Sequence, residues 1–252
     1  MILRDHELAS WSGGTLVSPG VPGPLSTDSR RIKPGDWFLA LVGDRFDAHD
    51  FLPMADAAGC AGVIAQRVPE GWGRGFVQVA DPLDALQRIA SGARQSLSVP
   101  VVGITGSAGK TTTRAMTALV LEGLGQVHQT AGNLNNHIGL PLSILQAPLD
   151  ARAWVLEMGM NHLGEIDLLQ RIARPKVRVI TNVGAAHLEG LGTIEGVARA
   201  KGELFDGAQP GDICCVNMDD PYIRQMQIPE GVHRLHYGRD SKHPICLTDA
   251  QI

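Results

Sequence analysis

The stretch Gly103-Ile104-Thr105-Gly106-Ser107-Ala108-Gly109-Lys110-Thr111-Thr112-Thr113 sets closely spaced glycines before a lysine and a run of threonines. Glycines let the backbone curl so that successive N–H groups point inward, and a helix start adds partial positive charge. That is the chemistry of a phosphate cradle. Lys110 would reach the β- and γ-phosphates of a nucleotide, with Thr111 on Mg²⁺. Thr105, Gly106, Ser107, Ala108, Gly109, Lys110, Thr111 and Thr112 are therefore the candidate triphosphate-binding residues, with ATP the expected ligand. The strict pattern G-x-x-x-x-G-K-[ST] fails at one position, where Ile104 replaces the first glycine, leaving the narrower T-G-[ST]-x-G-K-T. A Gly/Ser turn that merely caps a helix is the competing reading. The apolar run before the loop and the helical pattern after it argue against that.

Three further segments carry groups that could act with it. Glu157 lies inside the apolar run Trp154-Val155-Leu156-Glu157-Met158, where an unpaired carboxylate is costly. It serves Mg²⁺, directly or through water, or it pairs with an arginine. Asn182 and His187 follow the apolar run Val179-Ile180. His187 is either a ligand at the carboxyl end of a strand, where open sheets bind theirs, or a hydrogen-bonded loop residue. Lys201 is spaced seven after Ile194, four after Val197 and three before Leu204, which centres it on the apolar face of a helix. A bare ammonium there is expensive, so it either snorkels from the helix edge or faces a phosphate or metal, in native or modified form. Asn133, Asn135 and Asn136 form a block too polar for a core strand. They suit a loop offering amides to a polar ligand, or a plain surface turn.

The elements that must position these groups alternate between strand and helix. Trp37 to Val42 reads as a buried strand after the turn Pro34-Gly35-Asp36, and Phe51, Met54, Ala55 and Ala58 recur at helical spacing before Gly59. Gly62 to Ala65 is the next strand, completing a parallel crossover unit. Gly71 to Gly75 has the wrong spacing for a dinucleotide fingerprint and reads as a turn. Asp81-Pro82 is a helix start, with Leu83, Leu86, Ala90, Ala93 and Leu97 as its apolar stripe. The domain boundary is expected near here, giving an N-terminal domain 1–81 and a central domain 82–252. Strands are expected over 99–104, 154–158, 177–181 and 213–217, and the helix after the phosphate loop has Met116, Leu119, Val120 and Leu124 as its stripe. This alternation predicts an α/β fold: a small N-terminal α/β domain, then a mostly parallel sheet covered by helices.

Composition closes off other classes. With 44% hydrophobic residues and a net charge of −4 without any Lys/Arg run, the chain is globular and lacks the basic stripe that nucleic-acid binding wants. No C-x-x-C pair occurs among Cys60, Cys214, Cys215 and Cys246, and Cys214-Cys215 read as small buried hydrophobes. No run reaches membrane-span length and no signal peptide is seen, so a reduced cytoplasmic setting and no membrane insertion are expected. A monomer is the expectation for assembly, although no residue pattern argues for it.

GITGSAGKTTT, TAGNLNNHIGLPLSIL, LEMGMNHLGEI and ITNVGAAHLEGLGTIEGVARAKGEL together resemble the Mur ligases over nearly the whole chain. The asparagine block and the E-M-G-M block are similar to the branch that adds D-alanyl-D-alanine. The resemblance implies an ATP-dependent amide ligase of peptidoglycan precursor synthesis that joins D-alanyl-D-alanine to UDP-N-acetylmuramoyl-tripeptide through an acyl phosphate. It further implies that Asn136 lies near the phosphates and that Thr111, Glu157, His187 and Lys201 gather around Mg²⁺. Lys110, His187 and Lys201 would act in catalysis, with Lys201 at a position that is carbamylated in some members. Thr27, Ser29, Asp44, Arg45 and Phe46 match positions that hold the uridine end, although Ala48 departs from a more usual glycine. Family members are longer, so this chain is expected to be a truncated piece lacking the C-terminal domain and unable to complete ligation alone. The other readings are a sister ligase adding a single amino acid, a folate polyglutamate ligase, a phosphate-loop ATPase or kinase, and a non-catalytic nucleotide-binding fragment.

Overall fold

A computed structural model of the chain describes residues 1–43, 46–240 and 242–246. They form two compact units, one of Met1–Leu97 with Ile144–Leu149, the other of Ser98–Ser143 with Asp150–Ile252. The first holds α1 (Asp5–Ser12), β1 (Thr15–Ser18), β2 (Leu25–Ser26), β3 (Trp37–Leu39), β4 (Val42–Gly43), β5 (Phe46–Asp47), α2 (Leu52–Ala57), β6 (Gly62–Ala65), β7 (Gly75–Gln78) and α3 (Pro82–Gln95). Its sheet runs β1-β7-β6-β3-β2, parallel except for the antiparallel β1–β7 pair. Phe38, Leu52, Ala55, Val63 and Phe76 form a core between sheet and helix.

Several local expectations change here. The apolar run from Trp37 leaves the sheet after Leu39, and Val42–Gly43 pairs with Phe46–Asp47 in a separate antiparallel ladder. Leu52 and Ala55 are the buried positions of α2, whereas Phe51 and Met54 are exposed. The side chain of Asp81 caps α3, accepting from Leu83 N (2.8 Å) and Asp84 N (3.3 Å), and Pro82 opens it. Trp11 of α1 lies against Gly92, so α3 groups with the first unit. The division therefore falls at Leu97/Ser98 rather than near Asp81.

The second unit holds β8 (Val101–Thr105), α4 (Lys110–Leu121), β9 (Val127–Gln129), α5 (Gly139–Gln146, whose end passes into the first unit), β10 (Ala153–Glu157), α6 (Glu165–Ala173), β11 (Val177–Ile180), α7 (Leu188–Leu191), α8 (Ile194–Asp206), β12 (Ile213–Asn217), β13 (His233–Gly238) and β14 (Ile245–Cys246). Its seven strands are all parallel, in the order β14-β13-β12-β11-β8-β10-β9. Parallel strands need crossovers, and helices supply them from β8 through β12. Arg178 braces this unit from within. Its buried guanidinium donates to Leu204 O (2.8 Å), Gly207 O (2.9 Å) and Asp212 Oδ2 (3.2 Å).

The helix after the phosphate loop departs most from its pattern. Ala118 is buried and Leu121 packs beside Ile104 and Val155, but Met116, Leu119, Val120 and Leu124 are 64–78% exposed. The helix carries more apolar surface than the sheet beneath it can cover. Burial of the adjacent thiols is complete for Cys214 and partial for Cys215. It pushes Cys214 up to about 12 and Cys215 to about 11, so neither is a ready nucleophile.

The N-terminal unit offers a graded test. Asp81→Ala removes an exposed cap and is expected to cost about 1 kcal/mol. Leu86→Ala empties a fully buried position of the same helix and should cost about 2–5 kcal/mol. Urea unfolding followed by tryptophan fluorescence should rank the two in that order.

Candidate functional site

In-register pairing brings the chemistry together. Ile104 stands opposite both Glu157 and Val179, and Thr105 opposite Ile180. The segments leaving β8, β10 and β11 therefore emerge at one edge of the sheet.

The glycine-rich loop after β8 is strapped to the segment after β11. Asn182 takes both polar groups of one loop residue, its Oδ1 accepting from Ala108 N (2.9 Å) and its Nδ2 donating to Ala108 O (3.0 Å). Its backbone carbonyl accepts from Ser107 N (3.0 Å). The Ser107 hydroxyl donates to Gly184 O (3.0 Å) and accepts from Gly184 N (2.8 Å). The contact is close enough that a Cβ on Gly106 would lie 1.8 Å from Thr181 Oγ1. Ser107 and Ala108 thus commit their N–H groups to anchoring the loop. Those of Lys110, Thr111 and Thr112 open α4, where no carbonyl of the preceding turn serves them. Lys110 folds back, donating from Nζ to Gly106 O (2.8 Å).

Glu157 ends β10 only 3% exposed. Its Oε2 accepts from Thr111 Oγ1 (3.0 Å) and its Oε1 from Asn135 Nδ2 (2.8 Å), while its own N–H donates to Thr130 Oγ1 (2.9 Å). Among the described residues no basic side chain forms an ion pair with it, so the arginine alternative is not what stabilises it.

His187 caps the short helix α7 with a left-handed backbone (φ 57°), an uncommon conformation for a residue with a side chain. Burial, then the positive charges of Lys201 and Lys110, hold its imidazole below the ordinary histidine value, which favours the neutral ring. Lys201 is 2% exposed on α8, flanked by buried Val197 and Leu204. Burial and the neighbouring Lys110 pull its ammonium down to about 8. Among the described residues no carboxylate pairs with it. It does not snorkel.

Lys110, Asn133, Asn135, Asn136 and His187 line one cavity of about 280 Å³ together with Glu165. Burial pushes the Glu165 carboxyl up, but the backbone N–H groups of Asn161 and His162 outweigh it and leave a net lowering. Asn136 turns its Oδ1 to cap α5, accepting from Gly139 N (2.8 Å), so Asn135 is the asparagine bonded to the acid. A larger cavity, about 700 Å³, lies near Arg178 at the opposite end of β11 and contains none of these groups.

The structure therefore joins Thr111 to Glu157, places Lys110, Asn136 and His187 around one cavity, and sets Lys201 within electrostatic reach of Lys110 and His187. Among the described residues no group of three or more His, Cys, Asp or Glu side chains is gathered to hold a metal. Magnesium is often held by one or two carboxylates, water and phosphate oxygens, and Glu157 beside Thr111 fits that habit. Of the residues assigned to the uridine end, Thr27 and Ser29 flank Asp28 in one turn, and Phe46 is exposed on β5. Asp44 and Arg45 lie outside the described residues. Sequence reasoning missed the roles of Asn135 and Asn182. Only the clustering of amides near strand ends hinted at them.

A parallel sheet in which an inner strand feeds a strapped glycine loop, with an acid on the neighbouring strand, defines a phosphate-loop α/β protein. Residues 104–251 match the family described as Mur ligase middle domain, and the chain belongs to the Mur ligase family. Among curated relatives, it is 42% identical over 233 residues to the UDP-N-acetylmuramoyl-tripeptide–D-alanyl-D-alanine ligase of Bacillus subtilis, covering 89% of this chain and 50% of that protein. The Escherichia coli ligase of the same name is 41% identical over 196 residues, covering 78% and 43%. A crystal structure of MurF from Acinetobacter baumannii superposes with a TM-score of 0.89 at 33% identity, over 95% of this chain and 54% of that one. MurF ligase from Thermotoga maritima in complex with ADP superposes at 0.79 and 36% identity, over 86% and 51%. The chain spans about half the length of the curated relatives it matches. No described helix is long and apolar enough to cross a membrane.

Lys201→Met keeps the length of the side chain and removes its charge. The His187 imidazole is then expected to titrate closer to the ordinary histidine value, because one neighbouring cation no longer opposes its protonation, while burial still holds it somewhat low. An NMR pH titration of the histidine signals reads this directly. An unmoved His187 curve would show that the two side chains do not share a field.

Proposed function

We propose that this chain carries the nucleotide-handling part of an ATP-dependent ligase that joins D-alanyl-D-alanine to UDP-N-acetylmuramoyl-tripeptide. The observation that carries the reading is the start of α4, where the N–H groups of Lys110, Thr111 and Thr112 have no carbonyl of the preceding turn and the Thr111 hydroxyl meets the buried Glu157. Unserved donors beside a lysine call for an anion, and a triphosphate supplies it. The ADP bound by the Thermotoga ligase supports ATP as that ligand. The dipeptide acceptor is supported by the names of the curated relatives. A diaminopimelate-adding ligase at 20% identity shares the fold alone.

In this reading a carboxylate oxygen of the tripeptide attacks the γ-phosphorus, its bond to the β–γ bridging oxygen breaks, and ADP leaves. The amine of the dipeptide then attacks the acyl phosphate carbon. The tetrahedral intermediate collapses, phosphate departs, the amine loses its proton, and an amide remains. The work asked of the protein is positioning and charge neutralisation. The free N–H groups at the start of α4 cradle the phosphates, and Lys110 exchanges the Gly106 carbonyl for β- and γ-oxygens. Thr111 and Glu157 would hold Mg²⁺, whose charge would offset that of the phosphate oxygens. His187, kept neutral, turns a nitrogen lone pair toward the same cavity. Lys201 is the candidate for carbamylation, since a lowered ammonium value supplies the free amine that attacks CO₂. The ammonium loses one proton to give that amine and the amine a second as its N–C bond to CO₂ forms, so a cation becomes an anion beside Lys110. Thr27, Ser29, Asp44, Arg45 and Phe46 are assigned to the uridine end.

Lys110→Ala is expected to abolish ATP and ADP binding by calorimetry, and unchanged affinity would remove the phosphate-loop assignment. With ¹³C-labelled bicarbonate, the parent protein should show a carbamate carbon resonance that Lys201→Met lacks. Absence of that resonance counts against the modification and leaves the loop untouched. The acceptor is tested on a full-length ligase containing this chain, offered the UDP-linked tripeptide with D-alanyl-D-alanine or with single amino acids, amide product being expected only with the dipeptide.

A further inference from the structure

Glu157 is held in a way that its own strand does not explain. Each carboxylate oxygen receives one donor, Thr111 Oγ1 on Oε2 and Asn135 Nδ2 on Oε1. These two bonds fix the plane of the carboxylate and leave each oxygen a further lone pair. They also fix Thr111, whose proton is spent on Glu157 and whose lone pairs must point elsewhere. A lysine or arginine at position 135 would orient the acid equally well but would neutralise it. A neutral amide orients the charge and leaves it available.

Asn135 is itself held. Its carbonyl accepts from Gly159 N (2.8 Å), its N–H donates to Asn133 O (2.8 Å), and its side chain lies over Gly159. A Cβ on Gly159 would come within 3.0 Å of Asn135 Oδ1 and 3.1 Å of its Cγ, so the glycine clears the space in which the amide reaches Glu157.

We propose that Asn135 is a positioning residue that, through Glu157, sets the coordination geometry of the Mg²⁺ accompanying a bound nucleotide. This rests on the nucleotide site proposed above. Gly159 belongs to the same device.

The test is the ratio of ADP affinities with Mg²⁺ and with EDTA, measured by calorimetry. A merely structural role lowers both affinities together, whereas a positioning role lowers only the first. Asn135→Ala is expected to shrink the Mg²⁺ enhancement about tenfold or more, in line with loss of a hydrogen bond to a charged group. Its affinity in EDTA should stay within about threefold of the parent, a hydrogen bond to Glu157 having no part in metal-free binding. Gly159→Ala, which displaces the amide without removing it, should shift the ratio in the same direction by less, and it serves as the readout if Asn135→Ala does not fold. An unchanged ratio in both variants, or equal losses with and without Mg²⁺, overturns the proposal while ADP binding by the parent keeps the site. If the parent binds no ADP under either condition, site and proposal fall together.

Discussion

The parallel pairing of Val101–Thr105 with a neighbour on each side is the constraint from which the rest follows. Because Ile104 is level with Glu157 on one side and Val179 on the other, the phosphate loop, the buried acid and the Asn182 strap leave the sheet at one height. A slip of one residue would turn Glu157 from one face of the sheet to the other, and its bond to Thr111 could not form. The long apolar side chains of these strands, buried on both faces, hold that register without help from the polar groups that depend on it.

On this frame the site collects charge that the protein does not balance. Burial and then Lys110 lower the affinity of Lys201 for protons, and burial with both lysines lowers that of His187. Glu157 lies close by but is occupied by neutral donors. Cations and anion are thus kept apart rather than quenched, in a place where burial makes each more costly. A fold tolerates such an arrangement when a ligand completes it.

Much of this was legible from residue types and spacing. The glycine loop, the acid in an apolar strand and the lysine on an apolar stripe each break a local rule, and such breaks mark sites. The strands at 62–65 and 213–217 fell where their patterns put them and those at 99–104, 154–158 and 177–181 within one or two residues, while the strand from Trp37 stopped three residues early. What failed was whatever depended on partners distant in sequence. The asparagine block offers three equivalent amides, and only the packed chain decides that Asn136 caps a helix while Asn135 meets Glu157. The periodicity of Met116, Leu119, Val120 and Leu124 is that of a buried face, yet periodicity cannot say whether anything lies opposite. β9 sets His and Gln beside a single Val, and β13 sets two His, an Arg and a Tyr around a single Leu, so both lack the apolar run that betrays a central strand, and β14 has only two residues.

The double grip of Asn182 on Ala108 has a consequence for how a ligand would arrive. A loop already braced in its final curl has surrendered its freedom during folding, before any encounter. Capture would then resemble a key meeting a finished lock, with association set by diffusion and the shedding of water rather than by slow closure of a flap.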